Sequence, residues 1–547
     1  MSEAKITRIW ALPAALLAAA LIAAYWWVAG RAVAVVDAPH PKLHCVSYAP
    51  FQGAQTPANP ALVIPPAQME ADLKLLAERF ECVRTYSTAH GQDVIPALAE
   101  KHGLKVLLGA WIGRDQARNE AELTRVIELA NAHPGTIEAL IIGNETLLRR
   151  ELPADALGAL LRRAKEATEV PVTYADVWEF WLRNAPLAES ADFVTIHILP
   201  YWEDEPIGIA RAVDHVRNIL AKVYQAFPGK TVMIGEAGWP SAGRAREEAA
   251  PGLVNQARFI REFVAFAEEK ELSYNLIEAF DQPWKRGQEG TVGGYWGLYD
   301  GARAPKFAFA GPVREDARWR MHAWLSAAAA VALLALALAR RAPWRGAGWI
   351  GAGAAAAVAG IALVEHARFV EVVALSPRAW ALGIGGWILA ALTAVAVALT
   401  LTRAEAGAVP RASLRAVLDR IARPWRATEP GFGLGLLQAI AMTAALALSL
   451  ALAVDPRYRD FPIAAFVIPA IGFVLLRAAA APDGVEERWL GRVLALAAIA
   501  IGVREGPSNW EALGWCATML ALAWPWSGFA RAVDWGQTEP AKGERRA

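Results

Sequence analysis

The chain has 547 residues, of which 55% are hydrophobic and 20% charged, and its formal net charge is +1. Globular proteins average roughly 45–50% apolar and about 25% charged residues, so an apolar excess sits somewhere in this chain. The near-neutral balance gives no electrostatic case for a nucleic-acid partner, and the length exceeds one ordinary domain.

Lys5 and Arg8 precede an uncharged apolar stretch from Trp10 to Gly30. A membrane span needs about 20 such residues. A secretory signal cleaved near Ala32-Val33-Ala34 is the rival, but a signal core usually has about 7–15 residues. The expectation is an N-terminal anchor over residues 1–35. Both readings put residue 40 onward outside the cytoplasm.

Short apolar strands are predicted near 42–48, 81–86, 104–110, 137–143, 171–176, 192–197, 231–236 and 273–279. Amphipathic helices are predicted at 68–80, 120–132, 153–168, 206–227 and 252–270; the first puts Leu73, Leu76 and Phe80 on one face. Strands alternating with helices at this length define the expected fold class, α/β, with a (β/α)₈ TIM barrel over 40–312. The stretch 281–305 is rich in Gly and Trp and reads as a loop.

Seven apolar spans are predicted next, at 321–339, 347–365, 379–402, 432–454, 461–479, 489–504 and 509–528. They make a C-terminal all-α transmembrane domain over 320–530, followed by a tail over 531–547. Basic residues set the orientation. Arg340, Arg341 and Arg345 follow the first of these spans. Arg403, Arg411, Arg415, Arg420, Arg423 and Arg426 follow the third, and Arg531, Lys542, Arg545 and Arg546 the last. The opposite loops balance bases with acids, as in Asp455, Arg457, Arg459 and Asp460, or Arg504, Glu505 and Glu511. The N-terminus, the 403–431 loop and the tail are therefore expected in the cytoplasm, and the barrel on the periplasmic or extracytoplasmic side of a bacterial inner membrane. Trp319, Trp324, Trp344, Trp380, Trp489, Trp510, Trp524 and Trp526 lie near span ends, as interfacial anchors do.

The three cysteines, Cys45, Cys82 and Cys516, form no metal-spaced cluster, and no P-loop or Gly-rich dinucleotide turn is present. No metal and no cofactor are expected. Cys45 and Cys82 fall in neighbouring predicted strands; whether they form a disulfide stays open, because spacing alone does not establish the geometry.

Two predicted strands end alike. One runs through Ile141-Ile142-Gly143-Asn144 to Glu145, the other through Val232-Met233-Ile234-Gly235 to Glu236. Catalytic residues of TIM barrels come from such carboxyl ends, and two carboxylates facing one cleft are what glycoside hydrolysis needs. An isolated glutamate is more often a solvated loop acid or an arginine's partner; two at matched strand ends argue otherwise.

Four stretches carry a family resemblance: Val83-Arg84-Thr85-Tyr86-Ser87, Ile142-Gly143-Asn144-Glu145, Ile234-Gly235-Glu236-Ala237-Gly238-Trp239-Pro240-Ser241, and Glu278-Ala279-Phe280-Asp281-Gln282-Pro283-Trp284-Lys285. With these the segment 43–310 resembles glycoside hydrolase family 17, the β-1,3-glucanases and glucanosyltransferases, and the membrane portion resembles its bacterial membrane-anchored members. The resemblance implies a general acid/base at Glu145, a nucleophile at Glu236, retention at the anomeric carbon, and Asn144 on the sugar 2-hydroxyl. It makes Glu278 a supporting cleft acid; a salt bridge to Lys285 is the structural alternative. Arg84 or Lys285 would keep the nucleophile ionised, and desolvation or a nearby negative charge would hold the acid's proton. His197, Tyr201 and Trp202 open a motif that departs from eukaryotic members. Asp176 reads as a third cleft acid or as a helix cap. Tyr86, Trp111, Trp178, Tyr201, Trp202, Trp239, Trp284, Trp296 and Tyr299 are candidate sugar platforms, against a competing role in loop packing.

The function expected is a membrane-anchored retaining β-1,3-glucan glucanosyltransferase. The alternatives are a hydrolase of the same mechanism and a transporter or sensor with a glycan-binding barrel. The expected partners are a β-glucan or oligosaccharide substrate, the lipid bilayer and a glucan synthase. Against a transporter, the mid-span positions are almost all Ala, Leu, Val, Ile and Gly, with Gln438 the polar exception.

Overall fold

In the computed structural model, residues 3–342, 344, 346–402, 411–425, 431–454, 458–476 and 484–525 are described. Expectations for Arg345, Arg403, Arg426, Asp455, Arg457, Trp526 and the 531–547 tail lie outside them. The chain divides into residues 31–315, and residues 1–30 with 316–547.

In the first unit, eight short apolar runs become parallel strands that close on themselves. They are β1 (Leu43–Ser47), β2 (Phe80–Arg84), β3 (Lys105–Ala110), β4 (Ile137–Asn144), β5 (Val172–Val177), β6 (Val194–His197), β7 (Val232–Ala237) and β8 (Ser273–Leu276). Closure runs through Cys45 and Val46 of β1 against Asn275 and Leu276 of β8. Alternate residues face inward, and the barrel interior holds Cys45, Cys82, Leu107, Ala139, Ile141, Ala175 and Met233. Cys45 and Cys82 are register partners on adjacent strands and form a disulfide with their Cα atoms 4.3 Å apart.

The outward residues bury the apolar faces of α2 (Pro66–Ala77), α4 (Gln116–Ala132), α5 (Ala154–Ala167), α7 (Ala212–Ala226) and α8 (Leu253–Glu269). Two shorter helices, α3 (Ile95–Lys101) and α6 (Trp178–Arg183), were not evident in the sequence pattern. After β8 the covering helix is replaced by short turns, with α9 (Arg286–Glu289) between them. An antiparallel pair, Ala32–Val33 with Val313–Arg314, straps the two ends of the unit together. The fully buried Arg261 locks that strap by donating to Gly311 O at 2.7 Å and Ala308 O at 2.6 Å.

The second unit is helical: α1 (Glu3–Gly30), α10 (Trp319–Ala339), α11 (Gly346–Val373), α12 (Pro377–Leu401), α13 (Leu414–Ala422), α14 (Phe432–Val454), α15 (Ile463–Leu475), α16 (Val485–Glu505) and α17 (Trp510–Ala523). Five of these, α1, α10, α11, α12 and α14, are long and apolar enough to cross a membrane. The other expected spans differ. α15 has 13 residues and α17 has 14, too short at 1.5 Å per residue for a core of about 30 Å. α16 is longer but carries Glu486, Glu487, Arg488, Arg492, Arg504 and Glu505.

The N-terminal helix packs as an integral member of this unit. Ala14, Ala18, Ile22 and Trp26 recur every fourth residue and are buried against α10 and α11. Trp26 Nε1 donates to Ser326 Oγ at 2.9 Å. Small residues allow the backbones to approach closely: a Cβ on Gly353 would lie 2.4 Å from Ala14 O, and one on Gly360 2.2 Å from Ser326 O. Gly353→Leu is therefore expected to lower the thermal stability of the detergent-solubilised chain, by about 1–3 kcal/mol or more, as read by thermal unfolding. An unchanged melting temperature would show that α1 does not pack there.

Candidate active site

The carboxyl ends of β2, β4, β6 and β7 converge on one buried guanidinium. Arg84 ends β2 and is fully buried. Its Nη1 donates to Gly235 O at 2.7 Å and to Glu236 Oε1 at 3.1 Å, and its Nη2 donates to Asn144 Oδ1 at 2.6 Å. A buried charge of this kind persists only with such partners, so Arg84 ties the two glutamate-bearing strands to β2.

Glu236 also accepts from the Tyr86 hydroxyl at 2.8 Å, on the same Oε1. Tyr86 lies 2.7 Å from Ser47 Oγ, which accepts from Asn275 Nδ2 at 2.7 Å. Because the Tyr86 proton goes to Glu236, Ser47 must donate to Tyr86. The chain Asn275, Ser47, Tyr86, Glu236 thus points every donor at the carboxylate. Burial, then the Glu236 charge, push the Tyr86 pKa well above its ordinary value, so the phenol stays a donor.

Glu145 follows β4 at a backbone φ of +52°, and Gly143 before it stands at +90°. Left-handed backbone is costly for a residue with a Cβ, and the surrounding bonds hold it. Glu145 N donates to Ala175 O at 2.8 Å, and Leu147 N donates to the Tyr174 hydroxyl at 2.9 Å. Leu148 N donates to Asp176 Oδ2 at 3.3 Å, and Arg149 donates to Asn144 O and, at 3.2 Å, to Ile112 O. Asp176 is thus neither an open cleft acid nor a helix cap. It is buried, accepts from Tyr174 and from Val177 N, and α6 starts without a side-chain cap. Burial, reinforced by the Glu145 charge, raises its pKa to about 6.

His197, the last residue of β6, is buried between the two glutamates. Its Nδ1 is 3.1 Å from Glu145 Oε1, and its Nε2 is 3.7 Å from Glu236 Oε1 and 3.4 Å from Arg84 Nη1. Gly235 leaves room for the ring, since a Cβ there would sit 3.2 Å from His197 Cδ2. One ligand atom from each of Glu145, His197 and Glu236 lies within 4.8 Å of the others. That spacing suits three ligands of one ion, but the set fits a cation poorly: the Arg84 guanidinium occupies the same corner with a permanent positive charge.

The electrostatics of Glu145 differ from the sequence expectation. Burial does act to raise its pKa, but the His197 hydrogen bond, with the charges of Arg149 and Arg84, outweighs burial and leaves it below the ordinary glutamate value. Glu278, by contrast, is held high. It pairs with Lys285 at 2.8 Å, and burial nonetheless lifts its pKa to about 7. Lys285 resists burial through Glu278, Glu289 and Glu236, and its pKa rises to about 12. Ser47, Asn275, Tyr174 and Glu289 were absent from the sequence-based site; Glu289 adjoins Lys285 and feels the charges of Glu145 and Glu236.

The expected aromatic platforms divide. Tyr201 and Trp239 present no ring to the cleft: both are fully buried, Tyr201 donating to Arg244 O at 2.6 Å and Trp239 to Ala250 O at 3.0 Å. Trp296 and Tyr299 are likewise buried. Trp202 is partly open and stacks on Trp296 at 6.4 Å and 19°. Trp111 is 42% exposed with the Arg149 guanidinium over it at 4.2 Å. Trp284 is partly buried, edge-on to Phe51.

Residues 45–297 match the family model described as the BtgE/BtgC glycoside hydrolase domain. A glucan 1,3-beta-glucosidase of Schizosaccharomyces pombe is 28% identical over 43% of this chain and 78% of that protein. A glucan 1,3-beta-glucosidase of Candida albicans is 27% identical over 44% of this chain and 85% of its own length. The crystal structure of a glycoside hydrolase family 17 beta-1,3-glucanosyltransferase from Rhizomucor miehei is 24% identical, covering 49% of this chain and 97% of that one, with a TM-score of 0.44. The barrel is the domain of a glycosidase-family enzyme. These matches support a domain like that of the family the sequence motifs resemble.

The raised carboxyls bear on stability. Glu278, Asp176 and Asp281 have pKa values of about 7, about 6 and about 6, burial being the first cause in each. Each binds its proton more tightly folded than unfolded, so its contribution is full below the ordinary carboxylate pKa and is lost as pH rises through 6 to 7. The melting temperature of the full chain is expected to fall between about pH 5 and about pH 8, and Glu278→Gln to flatten that slope. A slope unchanged by the substitution would assign the titration to other groups.

Proposed function

We propose that the chain is a membrane-anchored enzyme that cleaves β-1,3-glucan with retention and transfers the glycosyl unit to another glucan. The carboxylate separation carries this reading: an oxygen of Glu145 and one of Glu236 lie within 4.8 Å. Retaining enzymes keep their carboxyls about 5–5.5 Å apart, whereas inverting enzymes need about 6.5–9.5 Å to admit a water. The names of the relatives, glucan 1,3-beta-glucosidases, supply the linkage.

In this reading Glu236 is the nucleophile. Arg84 and Tyr86 both donate to its Oε1, and no donor among the described residues reaches Oε2. Oε2 attacks the anomeric carbon, and the bond to the glycosidic oxygen breaks as that oxygen takes a proton from Glu145. A glycosyl ester on Glu236 results. Glu145, now a base, removes the proton of an acceptor hydroxyl, which attacks the same carbon and returns Glu236 as carboxylate. Asn144, held by Arg84, faces the sugar 2-hydroxyl. The charges lowering the Glu145 pKa must be offset when sugar displaces water, because desolvation favours the neutral acid.

Transfer and hydrolysis differ only in the acceptor. Burial of Glu236, Asn144 and His197 favours transfer by restricting water; the relatives' names favour hydrolysis. Incubating the full chain with laminari-oligosaccharides decides between them. Products longer than the donor are expected, and shortened products alone would make the enzyme a hydrolase.

Glu236→Gln is expected to abolish the covalent adduct formed with a 2-fluoro-glucosyl donor, read by intact mass. An adduct equal to wild type would reassign the nucleophile. Glu145→Ala is expected to cost about 10²–10⁴-fold on natural glucans, far more than on donors whose leaving group needs no proton, with partial rescue by azide. Equal losses on both substrates would remove Glu145 from the acid role.

For location, the five long apolar helices support a bilayer. Arg340 and Arg341 after α10, and Arg411, Arg415, Arg420 and Arg423 between α12 and α14, support a cytoplasmic face for those turns. The Cys45–Cys82 disulfide supports an oxidising compartment for the barrel. Reporter fusions test it: phosphatase activity is expected after residue 310 and fluorescence after residue 415. An active phosphatase within 411–425 would invert the arrangement.

A further inference from the structure

We infer that His197 is a positioning residue for the acid/base: its Nδ1–H occupies Oε1 of Glu145, so that the transferred proton is carried on Oε2. The inference rests on the assignment of Glu145 as acid/base. Its geometry begins at Nε2. That nitrogen lies 3.4 Å from Arg84 Nη1, a group that can only donate. Facing a donor, Nε2 is the ring's acceptor, which puts the proton of a neutral imidazole on Nδ1. Nδ1 lies 3.1 Å from Glu145 Oε1 and donates to it.

The opposite tautomer would be harmful. A bare Nδ1 would accept the proton of a protonated Glu145 and divert it from the glycosidic oxygen. Arg84 thus sets the tautomer of His197, and His197 sets which oxygen of Glu145 is left for the substrate. Second partners that orient a catalytic group commonly decide its tautomer or proton position in this way.

Charged and titratable groups face this pair from every strand end around it. Arg84 comes from β2, Glu145 and Arg149 from the end of β4, Asp176 from β5, and Glu236 from β7. Glu289 adds a further negative charge near Glu145. Of the groups acting on the Glu145 carboxyl, the His197 hydrogen bond is the strongest that opposes burial. Removing His197 therefore moves the Glu145 pKa upward, and the alkaline limb of the rate profile follows it.

The test uses the full chain in detergent, with laminari-oligosaccharides and a dinitrophenyl β-glucoside as the two donors. His197→Leu is expected to shift the alkaline limb of kcat/KM to higher pH. It should cost about 10²-fold on the natural donor and only a few-fold on the activated one. His197→Asn places an amide N–H where Nδ1 stands and is expected to restore much of the loss and the wild-type limb. Equal losses on both donors with an unmoved limb would overturn the inference and leave His197 a packing residue. Should His197→Leu fail to fold, His197→Asn alone decides: a limb shifted upward with a large loss on the natural donor would also overturn it. Adduct formation on wild-type Glu236 is measured in parallel. Its absence would sink the enzyme reading itself, and with it this inference; its presence with an unmoved limb in His197→Leu would sink the inference only.

Discussion

One buried positive charge organises the barrel mouth. Arg84 reaches from β2 across the interior to Asn144 on β4 and to Gly235 and Glu236 on β7, strands that are not neighbours. Burying a guanidinium is costly unless its charge is paired. Two side chains and a carbonyl accept from its two terminal nitrogens here, so they are held where the guanidinium puts them. The spacing between Glu145 and Glu236 depends on this, as does the orientation of Asn144. Removing Arg84 would leave Glu236 with Tyr86 alone and His197 without the donor that faces its Nε2.

The sequence displayed the strands and both glutamates because these features are local. An apolar run ending in Gly-Asn-Glu or Gly-Glu needs no knowledge of what lies opposite. The supporting residues were not legible for the converse reason. Ser47 ends β1 and Asn275 sits in β8, more than two hundred residues apart; they meet only because the barrel closes between those strands. Asp176 looked like a cap because it precedes a helix, but it shares the outward-facing side of β5 with Val172 and Tyr174 and is buried there, bonded to the Tyr174 hydroxyl. Tyr201 and Trp239 looked like platforms because aromatics after strand ends often are, yet their polar tips found carbonyls inside the loop layer. Exposure of a loop aromatic depends on how the loop folds back, which periodicity does not encode.

The helical unit shows the same division. Length and apolarity marked α1, α10, α11, α12 and α14 correctly as long helices. The composition near 461–528 was equally apolar in windows, but among the described residues α15 and α17 run for only 13 and 14 residues, and α16 carries charges at both ends. The glutamates at the start of α16 lie where a helix N-terminus favours negative charge. Glu487 there accepts from Leu414 N at 2.6 Å, joining α16 to α13.

The order in which the chain is made has a consequence for α1. Its buried face, Ala14, Ala18, Ile22 and Trp26, belongs with α10 and α11, which come only after the whole of residues 31–315. A ribosome adding about 5–20 residues per second needs roughly 15–60 s to make that intervening length. For that interval the first helix exists without its neighbours, and the barrel, whose own ends are strapped at Ala32–Val33 and Val313–Arg314, can finish folding before the helical unit is complete. Biogenesis is thus nested: the inserted domain matures inside an unfinished host, and whatever receives α1 from the ribosome must tolerate its unpaired small-residue face for the better part of a minute.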